Sequence, residues 1–235
     1  MTRMNRISER NALYLSIGFI FLMWLIRVIR NTYYIDNTLD RAGSVQQLSL
    51  NATVYGVLTV LTVTLILRLS KENYKDIGID TQNLPRQMRN GFLFGVLIFI
   101  LDTLVAGTIV DALLPKTSAQ GIDMSRLVDN IYFLPAWIFI AIFKGGFAEE
   151  MWRIFTLTRF EKCFGKPGLL FALIFGAAIF GVGHLYQGVG GMISIAIVGS
   201  LYGLVYLRRR RAFEAVFAHA TFDVIGVMLG YLIYA

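Results

Sequence analysis

Seven long apolar runs divide the sequence, and they constrain the fold more than any other feature. They lie at about residues 12–29, 48–67, 90–110, 131–147, 167–184, 188–207 and 212–234. A helix needs roughly 20 mostly apolar residues to cross a bilayer, and it satisfies its own backbone hydrogen bonds in lipid. Charged residues make up only 16% of the chain, against about 25% in a soluble domain. We therefore expect an all-α polytopic membrane protein, a single bundle of about seven transmembrane helices, or of eight.

The fourth run is expected to belong to an unusually long helix. It is followed without a break by Glu149 and Glu150, and the helical pattern continues to about Lys162. We expect residues 1–127 to form N-terminal transmembrane helices and loops. Residues 128–235 should form the core that carries the chemistry, with the functional motifs on the last four helices. Both parts should belong to one integrated membrane domain.

Basic residues between the runs predict the orientation, because cytoplasmic loops carry an excess of Lys and Arg. With the N-terminus in the cytoplasm, fifteen basic residues fall on the cytoplasmic side and five on the other. The cytoplasmic set is Arg3, Arg6, Arg10, Arg68, Lys71, Lys75, Arg86, Arg89, Arg159, Lys162, Lys166 and Arg208 to Arg211; the outer set is Arg27, Arg30, Arg41, Lys116 and Arg126. We expect a multi-pass protein of the cell membrane with an external C-terminus. The basic pI of 9.6 reflects topology, and no nucleic-acid partner is expected.

Ionisable side chains within apolar runs are costly and point to function. The C-terminal half contains a conspicuous set that includes both histidines of the chain: Glu149, Glu150, Arg153, His184, His219 and Asp223. At 1.5 Å of rise per residue, Glu149, His184 and His219 lie roughly 20, 27 and 12 Å from the cytoplasmic ends of their helices. These depths bracket the bilayer centre, so tilted helices can bring the three side chains into one cavity.

The local spacings have both structural and functional interpretations. Arg153 follows Glu149 by four residues and Glu150 by three, so it can reach either carboxylate. A structural ion pair is one interpretation; the other is that the second glutamate stays free to act as a base. His219 and Asp223 are four residues apart, so Asp223 can orient the imidazole, or the two can pair helices. Lys144 precedes Glu149 by five residues, which on an α-helix directs the two side chains to different faces.

Three stretches in this order resemble the CPBP intramembrane protease family, which includes CAAX prenyl endopeptidases and Abi-type proteins of bacteriocin self-immunity. The family has Glu-Glu-x-x-x-Arg, Phe-x-x-x-His and His-x-x-x-Asn/Asp, each on a transmembrane helix. This chain has Phe147-Ala148-Glu149-Glu150-Met151-Trp152-Arg153, then Phe180 to Gly188 with His184, then His219-Ala220-Thr221-Phe222-Asp223. The resemblance covers about residues 130–235. The first motif is one residue shorter than the usual form, so either glutamate can correspond to the family's base, and Glu149 is preferred.

The resemblance implies hydrolysis of a peptide bond by an activated water. Glu149, assisted by His184, would take the proton of that water as a general base. His219 and Asp223 would stabilise the oxyanion, and Arg153 would form a supporting ion pair. A divalent metal such as zinc, held by Glu149, His184 and His219, is one alternative, and a metal-free site is the other. The expected partners are a peptide or protein substrate, reached from the membrane or the cytoplasm, and the lipid bilayer.

Two other functions are compatible with these residues. The shortened first motif leaves open a catalytically silent binding or immunity protein of the same family. A small proton-coupled transporter could also use intramembrane acids and histidines as a relay. Transporters of this kind contain discontinuous helices in related halves, and the two halves of this chain share neither motif nor spacing.

Overall fold

The computed structural model describes residues 3–33, 45–113 and 130–234 of the 235-residue chain. Every regular element in these ranges is helical. The α-helices, numbered in chain order, are α1 (Arg3–Tyr33), α2 (Val45–Leu69), α3 (Leu84–Leu101), α4 (Gly107–Leu113), α5 (Leu134–Phe139), α6 (Glu150–Val182), α7 (Gly188–Arg209) and α8 (Ala212–Tyr234). Two π-helical segments, Asp102–Ala106 and Ile140–Glu149, join α3 to α4 and α5 to α6. Short 3₁₀ turns lie at Tyr74–Ile77, Ile131–Phe133 and Leu185–Gln187. The expected all-α class is confirmed.

Six segments of the described chain are long and apolar enough to cross a membrane: Asn11–Thr32, Val45–Leu69, Leu84–Val110, Ile131–Val182, Leu185–Arg209 and Ala212–Ile233. The fourth is 52 residues long, about 78 Å at 1.5 Å per residue, and so exceeds one bilayer crossing. It breaks at Gly165, whose φ of 66° and ψ of −151° are not helical. Its two halves correspond to the fourth and fifth of the seven predicted runs. The protein is a multi-pass membrane protein.

The break in α6 has a local cause. Gly165 adopts a positive φ, a conformation that a residue without a Cβ reaches at little cost. Pro167 follows two residues later and has no N–H to donate to the preceding turn. The N-terminal part of α6 therefore ends just beyond Lys162, where the sequence predicted the end of the long helix.

The bundle has an apolar exterior and close helix contacts inside. Large apolar side chains such as Leu61, Leu104 and Leu232 are at least 60% exposed, as lipid-facing residues are. Helix α3 packs along α8 at Gly91, where an added Cβ would lie 2.7 Å from the Glu214 carbonyl oxygen. Such small residues let membrane helices approach closely. At Gly199, an added Cβ would lie 2.8 Å from the Phe180 ring, so a glycine also lets α7 pack closely on α6.

Ion pairs join three segments at one end of the bundle. Glu72, in the turn after α2, hydrogen-bonds to Arg159 and Lys162 of α6. Glu161 of α6 accepts hydrogen bonds of 2.6 and 2.7 Å from Arg210, in the turn between α7 and α8. Burial opposes ionisation of Glu72, but the two hydrogen-bonded cations outweigh it and hold the pKa of Glu72 below its usual value. Basic residues assigned to the cytoplasmic side therefore lie together at one end.

Candidate active site

The π-helical segment Ile140–Glu149 positions the first acidic residue of the site. Glu149 is its last residue and is 6% exposed. The Nζ of Lys144 lies 3.2 Å from the Glu149 Oε1. The expectation that Lys144 faces away from Glu149 was wrong, because it assumed α-helical spacing. A π-helix pairs residues five apart, so the two side chains meet on one face.

Two glycines let this segment lie directly against α8. A Cβ added at Gly145 would collide with the Asp223 carboxylate and lie 3.5 Å from the His219 Nε2. A Cβ added at Gly146 would lie 2.7 Å from the Cβ of Ala220. Because neither glycine has a side chain, Asp223 and His219 have room to lie beside Glu149.

Glu150 has a different environment from its neighbour. It begins α6, its side chain is fully buried, and its Oε1 accepts a hydrogen bond of 2.9 Å from the His219 Nδ1. The Arg153 Nε donates to both of its oxygens, at 3.0 and 3.1 Å. Of the two carboxylates that Arg153 could reach, it pairs with Glu150. Glu150 thus fixes Arg153 and His219, whereas Glu149 makes no direct contact with the arginine.

His219 stands at the centre of the acidic residues. Since its Nδ1–H donates to Glu150, its Nε2 is the ring atom that faces the rest of the site. That nitrogen lies 3.5 Å from the Asp223 Oδ2 and 4.0 Å from the Glu149 Oε2. The ring stacks on Tyr202, with centroids 4.4 Å apart, which holds its plane. The predicted proximity of His219 and Asp223 on one helix face is confirmed, and both lie beside the two glutamates.

His184 lies just after the end of α6, on the opposite side of the Phe180 ring from His219. Its Nδ1 is 3.0 Å from the Phe180 carbonyl oxygen, so Nδ1 carries the proton and Nε2 is left as an acceptor. The Phe180 ring makes edge contacts with His184 at 4.8 Å and with His219 at 5.9 Å between centroids. The charge of Glu149 acts on His184. All six predicted site residues therefore lie in one region of the bundle.

Arg27 of α1 is a site residue that the sequence analysis missed. Its guanidinium carbon is 5.3 Å from the Phe180 ring centroid. A Cβ added at Gly183, next to His184, would lie 2.6 Å from that carbon. The charge of Arg27 acts on Glu149, as does that of Lys144. Arg27 was assigned to the basic residues of the outer side. It lies within an apolar run, and ionisable residues in such runs are costly and point to function, so the sequence did contain a signal for it.

Two of the three carboxylates of the site have a basic partner. Glu149 faces Lys144, and Glu150 is shared by Arg153 and His219. Within residues 3–33, 45–113 and 130–234, no group of three His, Cys, Asp or Glu side chains has the spacing that would hold a metal ion. Glu149, His184 and His219, the ligands predicted for a divalent metal, do not form such a group among these residues. The groups that these residues offer for chemistry are a buried carboxylate, two imidazoles and several cations.

Comparison with known families agrees with this geometry. Residues 130–225 match the Rce1-like family of type II CAAX prenyl endopeptidases. This range contains all six predicted site residues and Lys144, while α1 with Arg27 lies outside it. The resemblance to CAAX-type membrane proteases is confirmed over this part of the chain, and it supports a peptidase at the level of the family. Neither the curated proteins nor the solved structures gave a match.

Proposed function

We propose that this chain is an intramembrane endopeptidase that hydrolyses a peptide bond with a water activated by Glu149 and His184. The observation that carries the proposal is the cluster itself. Glu149, Glu150 and Asp223 lie within 4.0 Å of the two nitrogens of the His219 ring, inside membrane-spanning helices. Intramembrane acids and imidazoles are expensive to bury and are kept for function.

Glu149 is the proposed general base. It is held by Lys144 at 3.2 Å, while Glu150 is already bound by Arg153 and His219 and is fully buried. In the proposed reaction, Glu149 takes a proton from the water while the water oxygen attacks the carbonyl carbon of the peptide bond. The His184 Nε2, free of a proton, accepts the second hydrogen bond of that water. Glu149 then returns the proton to the nitrogen as the C–N bond breaks.

His219 and Asp223 are proposed to act on the developing oxyanion. Glu150 fixes the imidazole through Nδ1, so Nε2 is directed into the site. Three carboxylates surround the ring, and in the doubly protonated form Nε2–H donates to the oxyanion of the tetrahedral intermediate. Preorganised donors of this kind are worth about 10²–10³ in rate. Asp223 positions the ring, and Arg153 neutralises Glu150.

The site is proposed to serve a peptide substrate in the cell membrane. The basic residues gathered at one end of the bundle, near Glu72, Glu161 and Arg210, support a cytoplasmic assignment for that end. With this orientation the N-terminus is cytoplasmic. When the two halves of the longest segment are counted as separate crossings, the chain crosses the membrane seven times, which puts the C-terminus outside.

Cleavage of a peptide library by the purified full chain in lipid nanodiscs tests the proposal. The readout is mass-spectrometric detection of new termini. Wild type should cleave, and Glu149→Gln should lose at least about 10³-fold in kcat/KM, a typical loss for a general base combined with its positioning. Glu161→Gln is the matched control, since Glu161 lies just before the Gly165 break in α6 and pairs with Arg210 outside the site, so the substitution should leave turnover intact.

A chelator arm addresses the metal alternative. Activity that survives chelation supports the metal-free route, whereas loss that added zinc restores would assign the water activation to a metal. Undiminished cleavage by Glu149→Gln would refute the proposed base. Binding of peptides by wild type without any cleavage would favour the silent binding protein instead.

A further inference from the structure

Among the described residues, Arg27 is a cation at the edge of the site that has no ion-pair partner. Lys144 faces Glu149, and Arg153 faces Glu150. For Arg27, by contrast, no carboxylate of the described residues lies within ion-pair distance, and its Nε is buried without a hydrogen-bond partner. We propose that Arg27 binds the free C-terminal carboxylate of the substrate peptide, which makes it a specificity-determining residue. This inference rests on the proposed peptidase function.

The surroundings of Arg27 hold its guanidinium in one place. The group lies over the Phe180 ring, 5.3 Å from its centroid, and cation–π contacts of this kind favour a fixed orientation. Gly183 leaves the space that the group occupies, since an added Cβ would lie 2.6 Å from the guanidinium carbon. The side chain is therefore built into the wall beside His184 and is not a flexible surface arginine.

A carboxylate suits this position chemically. A guanidinium presents a planar fork of donors that matches a carboxylate bidentately. An unpaired charge within the membrane is costly, so a bound anion would recover part of that cost. Phe180 separates Arg27 from His219 and contacts His184, so an anion held at Arg27 lies beside the proposed water activator. A peptide anchored there by its C-terminal carboxylate has its last peptide bonds next to Glu149.

The test measures binding and does not require turnover. The tightest-binding library peptide is synthesised with a free C-terminal carboxylate and with a carboxamide, and both are titrated against Glu149→Gln protein in neutral-lipid nanodiscs. The acid should bind about tenfold or more tightly, as one charge-assisted contact predicts. Adding Arg27→Met should reduce the acid-to-amide ratio to about one, and Arg27→Gln provides the same measurement if Met impairs folding.

Arg30→Met is the matched control. Arg30 lies on the same helix one turn further and is exposed, so its loss should leave the acid-to-amide ratio unchanged. Equal binding of acid and amide by the parent protein would overturn the inference. So would a ratio that survives both Arg27 variants, or one that Arg30→Met abolishes equally. If the acid is preferred through Arg27 but wild type cleaves nothing, Arg27 is a carboxylate-binding residue and the proposed peptidase function fails.

Discussion

Substitution of the two adjacent glutamates should have different effects, one on the stability of the fold and the other on turnover. Both Glu149→Gln and Glu150→Gln keep the size of the side chain and remove its charge. Glu150 is fully buried and is bonded to Arg153 and to His219. Glu149 faces Lys144, whose side chain is 40% exposed. We expect Glu150→Gln to act mainly on the fold and Glu149→Gln mainly on the reaction.

The contacts give the expected magnitudes. Removing Glu150's charge leaves Arg153, only 9% exposed, as a buried cation without its counterion, and breaking a buried pair in this way costs about 3–5 kcal/mol. For a chain of this size that corresponds to a fall of roughly 6–20 °C in apparent melting temperature. Lys144 is 40% exposed, so the loss of its pair with Glu149 leaves no fully enclosed charge and should cost less, about 1 kcal/mol, or roughly 2–4 °C.

The assay combines thermal unfolding with peptide cleavage on the same nanodisc preparations. Tryptophan fluorescence reports unfolding, since Trp24 and Trp152 both contact the core around α6. Glu149→Gln should unfold close to wild type and lack turnover. Glu150→Gln should unfold well below wild type, and its residual activity should be measured below that temperature. Equal falls in melting temperature for the two variants would contradict the assigned contacts, as would a Glu150→Gln protein as stable as wild type.

Three further predictions follow from other contacts. Lys144→Met should lower kcat/KM about tenfold, or about 1.4 kcal/mol, because Lys144 holds the Glu149 carboxylate at 3.2 Å; unchanged kinetics would show that the contact has no role. Gly145→Ala should destabilise by about 1–3 kcal/mol through overpacking against Asp223, whereas Gly18→Ala, with nothing within 4 Å, should not destabilise in the same melting assay. The ionised Glu72 stabilises the fold above its unfolded pKa of about 4.3. Because the pKa of Glu72 is lowered in the folded protein, this stability should be lost as the pH falls from that value through the folded pKa. The melting temperature of Glu72→Gln should therefore change less than that of wild type between pH 5 and pH 3, and an equal slope would refute the assignment.

Much of the architecture could be predicted because it depends on local composition. The apolar runs determine the helices, and Gly165 with Pro167 marks the break that divides the longest one. The contact of His219 with Asp223 follows from α-helical spacing alone. For the same reason Arg153 could be paired with either glutamate, and only the packing of α8 against α6 selects Glu150, since it brings His219 to the same carboxylate.

The two missed residues depend on features that spacing does not encode. Lys144 meets Glu149 because ten residues adopt a π-helix, and no local propensity distinguishes that form from an α-helix in an apolar run. Arg27 enters the site because α1 packs against α6, a contact between residues more than 150 positions apart. In the sequence it resembles Arg30, three positions later, which is exposed.

The junction of π-helix and α-helix also explains how a shortened first motif can still form the expected ion pair. Glu149 ends the π-helical segment and Glu150 begins α6, so the two carboxylates leave the backbone on differently wound helices. On α6 the spacing of three residues is enough for the Arg153 Nε to reach Glu150 at 3.0 Å, since residues three and four apart are both neighbours on an α-helix. Removing one residue between the glutamates and the arginine therefore brings the cation from four to three residues beyond Glu150, but leaves Glu150 neutralised. Glu149 pairs with Lys144 and not with Arg153, and this difference from Glu150 is why we propose Glu149 as the base.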